Sequence, residues 1–361
     1  MVTGIEIDFL PVGEGEHSGD AIAVRWTEGG KHKVMLYDGG TKNYGRPLVE
    51  HVKRHFGTTH VDYVVNSHPD NDHAGGLLYV LENLTVGELW IHQPWNYSEH
   101  IRRYFRDQRI TDESLARRLQ EKMAAAYALE VCAEKKQIPV YEPFAGCQIG
   151  IFTVLSPDMA RYVHELIPEF EKAPELVKTE ATLLGAAADF FKKAMGSVAD
   201  VWDKEYLPDT VETSAENESS AILFATVGTN GYLLTGDAGI DSLRAAGEYA
   251  AKRGIDLPKQ VTFAQIPHHG GRHNVSTETL DILFGPRLAQ RPEQAWRTAF
   301  VSASEKAPRH PKKVVTNAFK RRGFKVGQTK GKSIWHFSPG MPRREGYSAL
   351  TYLPFYDEVE E

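Results

Sequence analysis

His68-Pro69-Asp70-Asn71-Asp72-His73 places four side chains able to bind a metal within six residues. Two imidazoles and two carboxylates this close, directly after an apolar run, can be delivered to one point. Neutral imidazole with carboxylate suits Zn²⁺, Mn²⁺ or Fe²⁺. A structural role, with one Asp capping the following helix, needs a single acceptor and leaves the other groups unexplained. Two later segments end in a similar way: Tyr232-Leu233-Leu234-Thr235-Gly236-Asp237 closes on a carboxylate that could bridge two cations, and 263–271 closes on His268 and His269. A Gly-Asp pair alone usually marks a turn. Adjacent histidines point in different directions, so one of His268 and His269 is expected to bind a metal directly, and the residues leave open which.

Each cluster needs an element that holds it. Residues 61–67 form an apolar β-like run, and 77–84 read as a helix after Ala74-Gly75-Gly76. Upstream, 5–10, 21–25 and 33–37 are strand-like, Asp38-Gly39-Gly40 turns the chain, 46–56 look helical and 88–92 form a short strand. Strands alternating with helices predict layered α/β packing. Asp20 and Asp38 fall at neighbouring strand ends and could line the same site. The Gly13-x-Gly15 stretch lacks the spacing and the Lys-Ser/Thr of a phosphate loop and reads as a turn. Residues 97–137 are charged and helix-prone, and 146–155 return to strand-like alternation. Residues 159–212 then read as a helical insertion, a cap or oligomer surface, within a single domain of 1–361. The acidic end, 357–361, reads as a solvated tail.

With 361 residues, 41% hydrophobic and 25% charged, the chain has the composition of a soluble globular protein. Its net charge of −6 excludes a generic polyanion binder. The apolar stretches fall short of the roughly 20 residues a membrane helix needs. The first residues, MVTGIEIDFLPVG, read as a strand and not as a signal peptide. Cys132 and Cys147 supply neither a disulfide framework nor a zinc-ribbon spacing and read as ordinary buried thiols. A cytoplasmic protein without a membrane partner is expected.

In order along the chain, the three clusters resemble the motifs of the metallo-β-lactamase superfamily, the first of which is H-x-[HDE]-x-D-H. Within it, the stretches FLPVGEGEHSGDA, DGG, SHPDNDHAGG, NESS, LLTGD and PHHGG, followed by His310-Pro311, resemble the soluble hydrolase domain of ComEC-type competence proteins. Asp70 stands where many superfamily members have a second histidine. Glu216-Asn217-Glu218-Ser219-Ser220 stands where a third-motif histidine is common, and Gly271 replaces the Ser that follows PHHG in that branch. The resemblance implies an α/β fold, the αββα sandwich of the superfamily, here with helical insertions. It also implies two divalent metal ions: His68 and Asp70, with His268 or His269, on one, Asp72 and His73 on the other, and Asp237 between them. Asp72 would orient the attacking water, held as hydroxide between the ions. His310 would donate to a phosphate oxygen or leaving group, unless it is a surface residue ahead of a helix started by Pro311.

The carboxylates Asp70, Asp72 and Asp237 make a hard ligand set that tilts the metal to Mn²⁺ without excluding Zn²⁺. Between Arg309 and Lys332 lie nine cations and no acid in 24 residues, a cluster fit for phosphates or an ordinary solvated helix face. The expected function is a two-metal phosphodiesterase or nuclease acting on nucleic acid or a nucleotide. The alternatives are a hydrolase of a lactone, lactam or thioester, and a non-catalytic binding module with a vestigial metal site.

Overall fold

Strand Val2–Phe9 shows how the layers arise, because its alternate residues are all apolar on one side. Ile5, Ile7 and Phe9 join a core shared by two sheets, while Glu6 and Asp8 on the other side pair with Arg25 and Arg344. The computed structural model describes residues 1–15, 17–107, 109–170, 197–345 and 348–360. It contains two seven-stranded sheets packed face to face. The first runs Ile334–Phe337, Val2–Phe9, Ala21–Glu28, Lys31–Gly39, His60–Val65, Thr85–Trp90, Val140–Tyr141. The second runs Phe324–Gln328, Arg297–Val301, Val261–Gln265, Asn230–Leu234, Ile222–Val227, Phe152–Ser156, Gln148–Ile149.

The two sheets repeat one plan. In the first, three antiparallel pairings are followed by three parallel ones, ending at Val140–Tyr141. The second has the same pattern, ending at Phe324–Gln328. Parallel neighbours need crossovers, and helices supply them. Leu48, Leu77, Leu81, Leu119 and Leu129 pack helices on the outside of the first sheet, and Leu243, Leu280, Leu283, Val315 and Phe319 do so on the second. The result is the expected αββα sandwich. No described helix is long and apolar enough to cross a membrane.

Several expectations change. Residues 146–155 are not one strand but a hairpin, Gln148–Ile149 with Phe152–Ser156, turning at Gly150 with φ 58°. Cys132 and Cys147 are unpaired, as expected, but only partly buried. The acidic end is no solvated tail. Strand Glu358–Glu360 pairs antiparallel with Ser197–Ala199, Val359 is buried, and the Glu360 carboxylate accepts from the backbone N–H of Lys313 and Val314 at 3.3 Å. The first turn of helix Lys313–Lys320 has N–H groups that lack intrahelical acceptors, and an acid satisfies them.

Of the expected helical insertion, 171–196 lie outside the described residues, and the oligomer surface proposed for it lies largely there. Residues 159–169 are helical, including a π-helical turn at Tyr162–Leu166. Residues 200–212 are irregular, because tertiary contacts override helix propensity there. Arg321 donates to Asp200 and to the Trp202 carbonyl, and Arg322 holds Glu205. These contacts also take part of the 309–332 run out of the expected phosphate stripe or solvated face. Arg321 and Arg322 are 0% and 1% exposed, and Lys320 and Lys330 donate to the carbonyls of Leu353 and Ala307. Four of the nine cations, Lys320, Arg321, Arg322 and Lys330, thus pair internally and tie the second half together.

His336 lies against Phe263 at 4.6 Å between ring centroids and faces Tyr232 and Phe300. Burial, with help from Lys325, lowers its pKa from 6.5 to about 4. The unfolded chain therefore takes up a proton below pH 6.5 that the folded chain refuses until about pH 4, and stability falls with pH across that window. In His336→Phe that contribution is absent. Urea titrations should show a smaller loss of stability between pH 6.5 and 4 than in the parent.

Candidate metal centre

In open α/β sheets, ligands gather beyond the carboxyl ends of parallel strands, and here both sheets aim those ends at one another. Lys31–Gly39 ends on Asp38, and His60–Val65 leads to the His68–His73 loop. Asn230–Leu234 leads to Asp237, and Val261–Gln265 leads to His268 and His269. Asp20 opens strand Ala21–Glu28 beside them. The loops touch through their backbones. A Cβ on Gly76 would stand 2.0 Å from the Gly39 carbonyl oxygen, and one on Gly19 would stand 2.4 Å from that of Asp72, so only glycine fits at either place.

Hydrogen bonds fix the tautomers of three imidazoles. The Ser67 hydroxyl donates to Asp38 Oδ2 at 2.6 Å, so it accepts from His68 Nδ1 at 2.9 Å. His73 Nδ1 donates to the same Asp38 oxygen at 2.8 Å. His269 Nδ1 donates to the Ser302 carbonyl at 3.2 Å. In its neutral form each ring therefore keeps its lone pair on Nε2, and none of these nitrogens has a hydrogen-bond partner. They face carboxylates. His73 Nε2 is 3.3 Å from Asp237 Oδ2, and His269 Nε2 is 3.7 Å from it and 4.0 Å from Asp72 Oδ2. Asp237 Oδ1 is likewise buried without a partner. Imidazole nitrogens and carboxylate oxygens converging in this way fit a divalent cation once the rings are neutral, and the Nδ1 partners are the outer supports that metal-binding histidines use.

Two groups have ligand atoms within 4.8 Å of one another: His68, His73 and Asp237, and Asp72, His73 and His269. His269 thus falls with Asp72 and His73 and not with His68 and Asp70 as expected. His268 turns away. The Asn217 amide donates to its Nδ1 at 3.0 Å, and its ring stands at 90° to that of His269. Asp70 lies beside His68, with Oδ2 3.6 Å from Nε2, and its side chain makes no cap on helix Asn71–Ala74. His310 packs onto the backbone of His269, with Nδ1 buried and unpartnered, and helix Lys313–Lys320 starts beyond Pro311.

Asp20 and Asp38, foreseen only as lining residues, stand closer in. Both form a group with His73, and Asp20 forms another with Asp237 and His269. Gln265 donates to Asp20 Oδ2 at 2.9 Å while its own oxygen accepts from the Thr235 and Gly236 N–H groups. Burial raises Asp20 to about 7, with Asp237 and Asp38 adding to it and His73 opposing. Burial alone would also raise Asp237, but His73, His269 and His268 outweigh it and hold that carboxyl well below the usual range. Burial pushes His269 down to about 4, which keeps it in the neutral form that binds metal. For His73, burial is outweighed by Asp237, Asp38 and Asp72, and the imidazole is raised well above its ordinary value. Cation binding must release that proton.

With this geometry in place, the chain can be set beside known proteins. Residues 15–142 match the metallo-beta-lactamase superfamily. That segment holds Asp20, Asp38 and the His68–His73 loop, while Asp237 and His269 lie beyond it. No curated protein matches the chain. Metallo-beta-lactamase SMB-1 bound to 2-mercaptoethanesulfonate is 10% identical over 77% of this chain and 86% of its own, with a TM-score of 0.32. The metallo-beta-lactamase from Hirschia baltica is 11% identical over 69% and 80%, with a TM-score of 0.29. A mutant of the CmlA beta-hydroxylase is 10% identical over 92% and 53%, with a TM-score of 0.36. The matches reach the superfamily and not its ComEC-type branch.

Asp38 sets two of the three tautomers, directly for His73 and through Ser67 for His68. Asp38→Asn is expected to lower Zn²⁺ or Mn²⁺ affinity by about 10- to 100-fold, the usual cost of losing an outer support. Competition with a chromogenic chelator measures it, and an unchanged affinity would remove Asp38 from the site.

Proposed function

We propose that this protein is a metal-dependent hydrolase of the metallo-beta-lactamase superfamily that cleaves a phosphodiester in nucleic acid or a nucleotide. The convergence of His68, His73 and His269 on Asp72 and Asp237 carries this reading. His68, Asp70 and Asp237 would hold one divalent ion, and Asp72, His73, His269 and Asp237 the other, with Mn²⁺ or Zn²⁺ the metals that suit this mix. Such a pair of ions makes water acidic enough to react near neutral pH and neutralises charge on the entering and leaving oxygens. The chain supplies the rest. Asp72, more exposed than the buried ligands, orients the attacking water with its carboxylate.

The phosphodiester class rests on charge at one lip of the site. Burial lowers His310, and Lys312 and His268 lower it further; His273 responds likewise to Arg272, His268 and Lys312. These cations therefore crowd beside His268, where an anionic phosphate is drawn in. His310, whose Nδ1 is buried without a partner, would act on a phosphate oxygen or leaving group. The lip replaces the 309–332 stripe as the support for this substrate.

The test is metal-supplemented cleavage of bis(p-nitrophenyl) phosphate, single-stranded DNA and RNA. Asp72→Ala should lower kcat by roughly 10²- to 10³-fold, as removing one electrostatic group at a reacting centre does. Faster turnover of a chromogenic lactam or ester than of any phosphodiester would overturn the reading.

A further inference from the structure

Beside His68 lies a second group of buried polar atoms that the proposed chemistry does not use. Strand Thr85–Trp90 runs parallel to His60–Val65, with Val65 opposite Trp90, so the loops that follow carry His68 and His92 side by side. His92 is 3% exposed and neither ring nitrogen has a hydrogen-bond partner. Tyr162 is 0% exposed and its hydroxyl is also unpartnered. The two rings stack at 4.4 Å with 23° between planes. Buried imidazole and phenol are normally satisfied, because leaving such a group unpaired costs about 1–3 kcal/mol. Aromatic rings form the walls: Phe144 stands edge-on to Tyr162 at 5.5 Å, Phe170 at 6.2 Å and Tyr97 at 6.3 Å.

We propose that His92 and Tyr162 form a subsite that binds the nucleobase of the phosphodiester substrate. Three features favour a base over a second phosphate. The walls are flat and apolar. The polar atoms comprise both a donor and an acceptor, which the edge of a base matches and a phosphate, acceptor only, does not. Burial also lowers His92 to about 3 and raises Tyr162 well above its ordinary value, so both stay uncharged. Tyr162 begins the π-helical turn Tyr162–Leu166, a backbone form frequent at functional sites, and entry of a base requires that turn to swing outward. The proposal rests on the phosphodiester reading, and its test separates the two.

The experiment is calorimetric titration of the metal-loaded protein with the four common nucleoside 5′-monophosphates and with methyl phosphate. At least one nucleotide should bind about tenfold tighter than methyl phosphate, about 1.4 kcal/mol. Tyr162→Phe, which keeps the ring, and His92→Phe, which keeps the stack, should abolish that preference. Both should leave methyl phosphate affinity and metal content unchanged. Equal affinity for nucleotides and methyl phosphate in the parent would overturn the subsite whatever the variants do. So would a nucleotide preference that survives both substitutions, which would leave the two residues a structural role with bound water. Nucleotide preference without cleavage of any phosphodiester would instead sink the proposed function and leave the subsite standing.

Discussion

The Asp38 carboxylate is the constraint around which this site is built. It is fully buried, and a buried charge is tolerable only when its oxygens are occupied. Oδ1 accepts from the Ser67 N–H at 2.7 Å and the Asn66 amide at 3.3 Å, and Oδ2 accepts from the Ser67 hydroxyl and His73 Nδ1. Meeting that demand turns His73 so that Nε2 points inward and, through Ser67, does the same for His68. The backbone takes a positive φ of 61° at Asp38 to make this possible, and such a conformation persists only where its surroundings enforce it. Here the enforcement comes from Gly39 and Gly40, which let the His68–His73 loop lie directly on the turn; the Gly76 N–H donates to the Gly40 carbonyl at 2.9 Å.

The repeated strand plan explains why the centre sits between the halves. Asp38 and Asp237 follow the last antiparallel pairing of their sheets, and the His68 loop and the His268–His269 turn both follow the next strand. Equivalent places have been put to unlike uses. Asp38 is saturated by donors and holds other side chains, whereas Asp237 keeps an oxygen without a partner and faces the imidazoles. Gln265 and Asp20 join the halves, the amide bonding a carboxylate of one and the backbone of the other. A site made this way forms only when both sheets are packed, so its geometry depends on the core around Phe9, Phe263 and Phe300, whose rings meet at 5.3–6.2 Å.

The layered fold and the His68–His73 loop are legible in the sequence because each depends on local pattern: strand–helix alternation and metal-capable residues packed end to end. What is illegible depends on distant partners. The surroundings that distinguish His268 from His269 include the Asn217 amide, 51 residues away, and no property of the His-His pair announces it. The basic run from Arg309 to Lys332 counts as free charge in sequence, but Arg321 and Arg322 meet their acids 121 and 117 residues upstream. The acidic end similarly finds a helix terminus and a strand partner. Charge counting cannot see pairing across such separations, so a cluster of one sign is weak support for a ligand until its partners are placed.

The two sides of the centre differ in electrical character, and that difference argues for an orientation of substrate. At the His268 side, Lys312 and Arg272 lie near enough to oppose a charge on His310 or His273, with Glu360 offsetting part of the charge at Lys312. At the His68 side, burial keeps His92 and Tyr162 uncharged and leaves their polar atoms without partners. Moving an ionised phosphate into that second environment would cost far more than moving a neutral ring edge that returns the missing hydrogen bonds. A phosphodiester carries both kinds of group a few bonds apart, so one molecule can answer both sides at once with its scissile bond held over Asp72 and Asp237. On the proposed reading, a nucleotide would thus find a counterpart on each side of the centre.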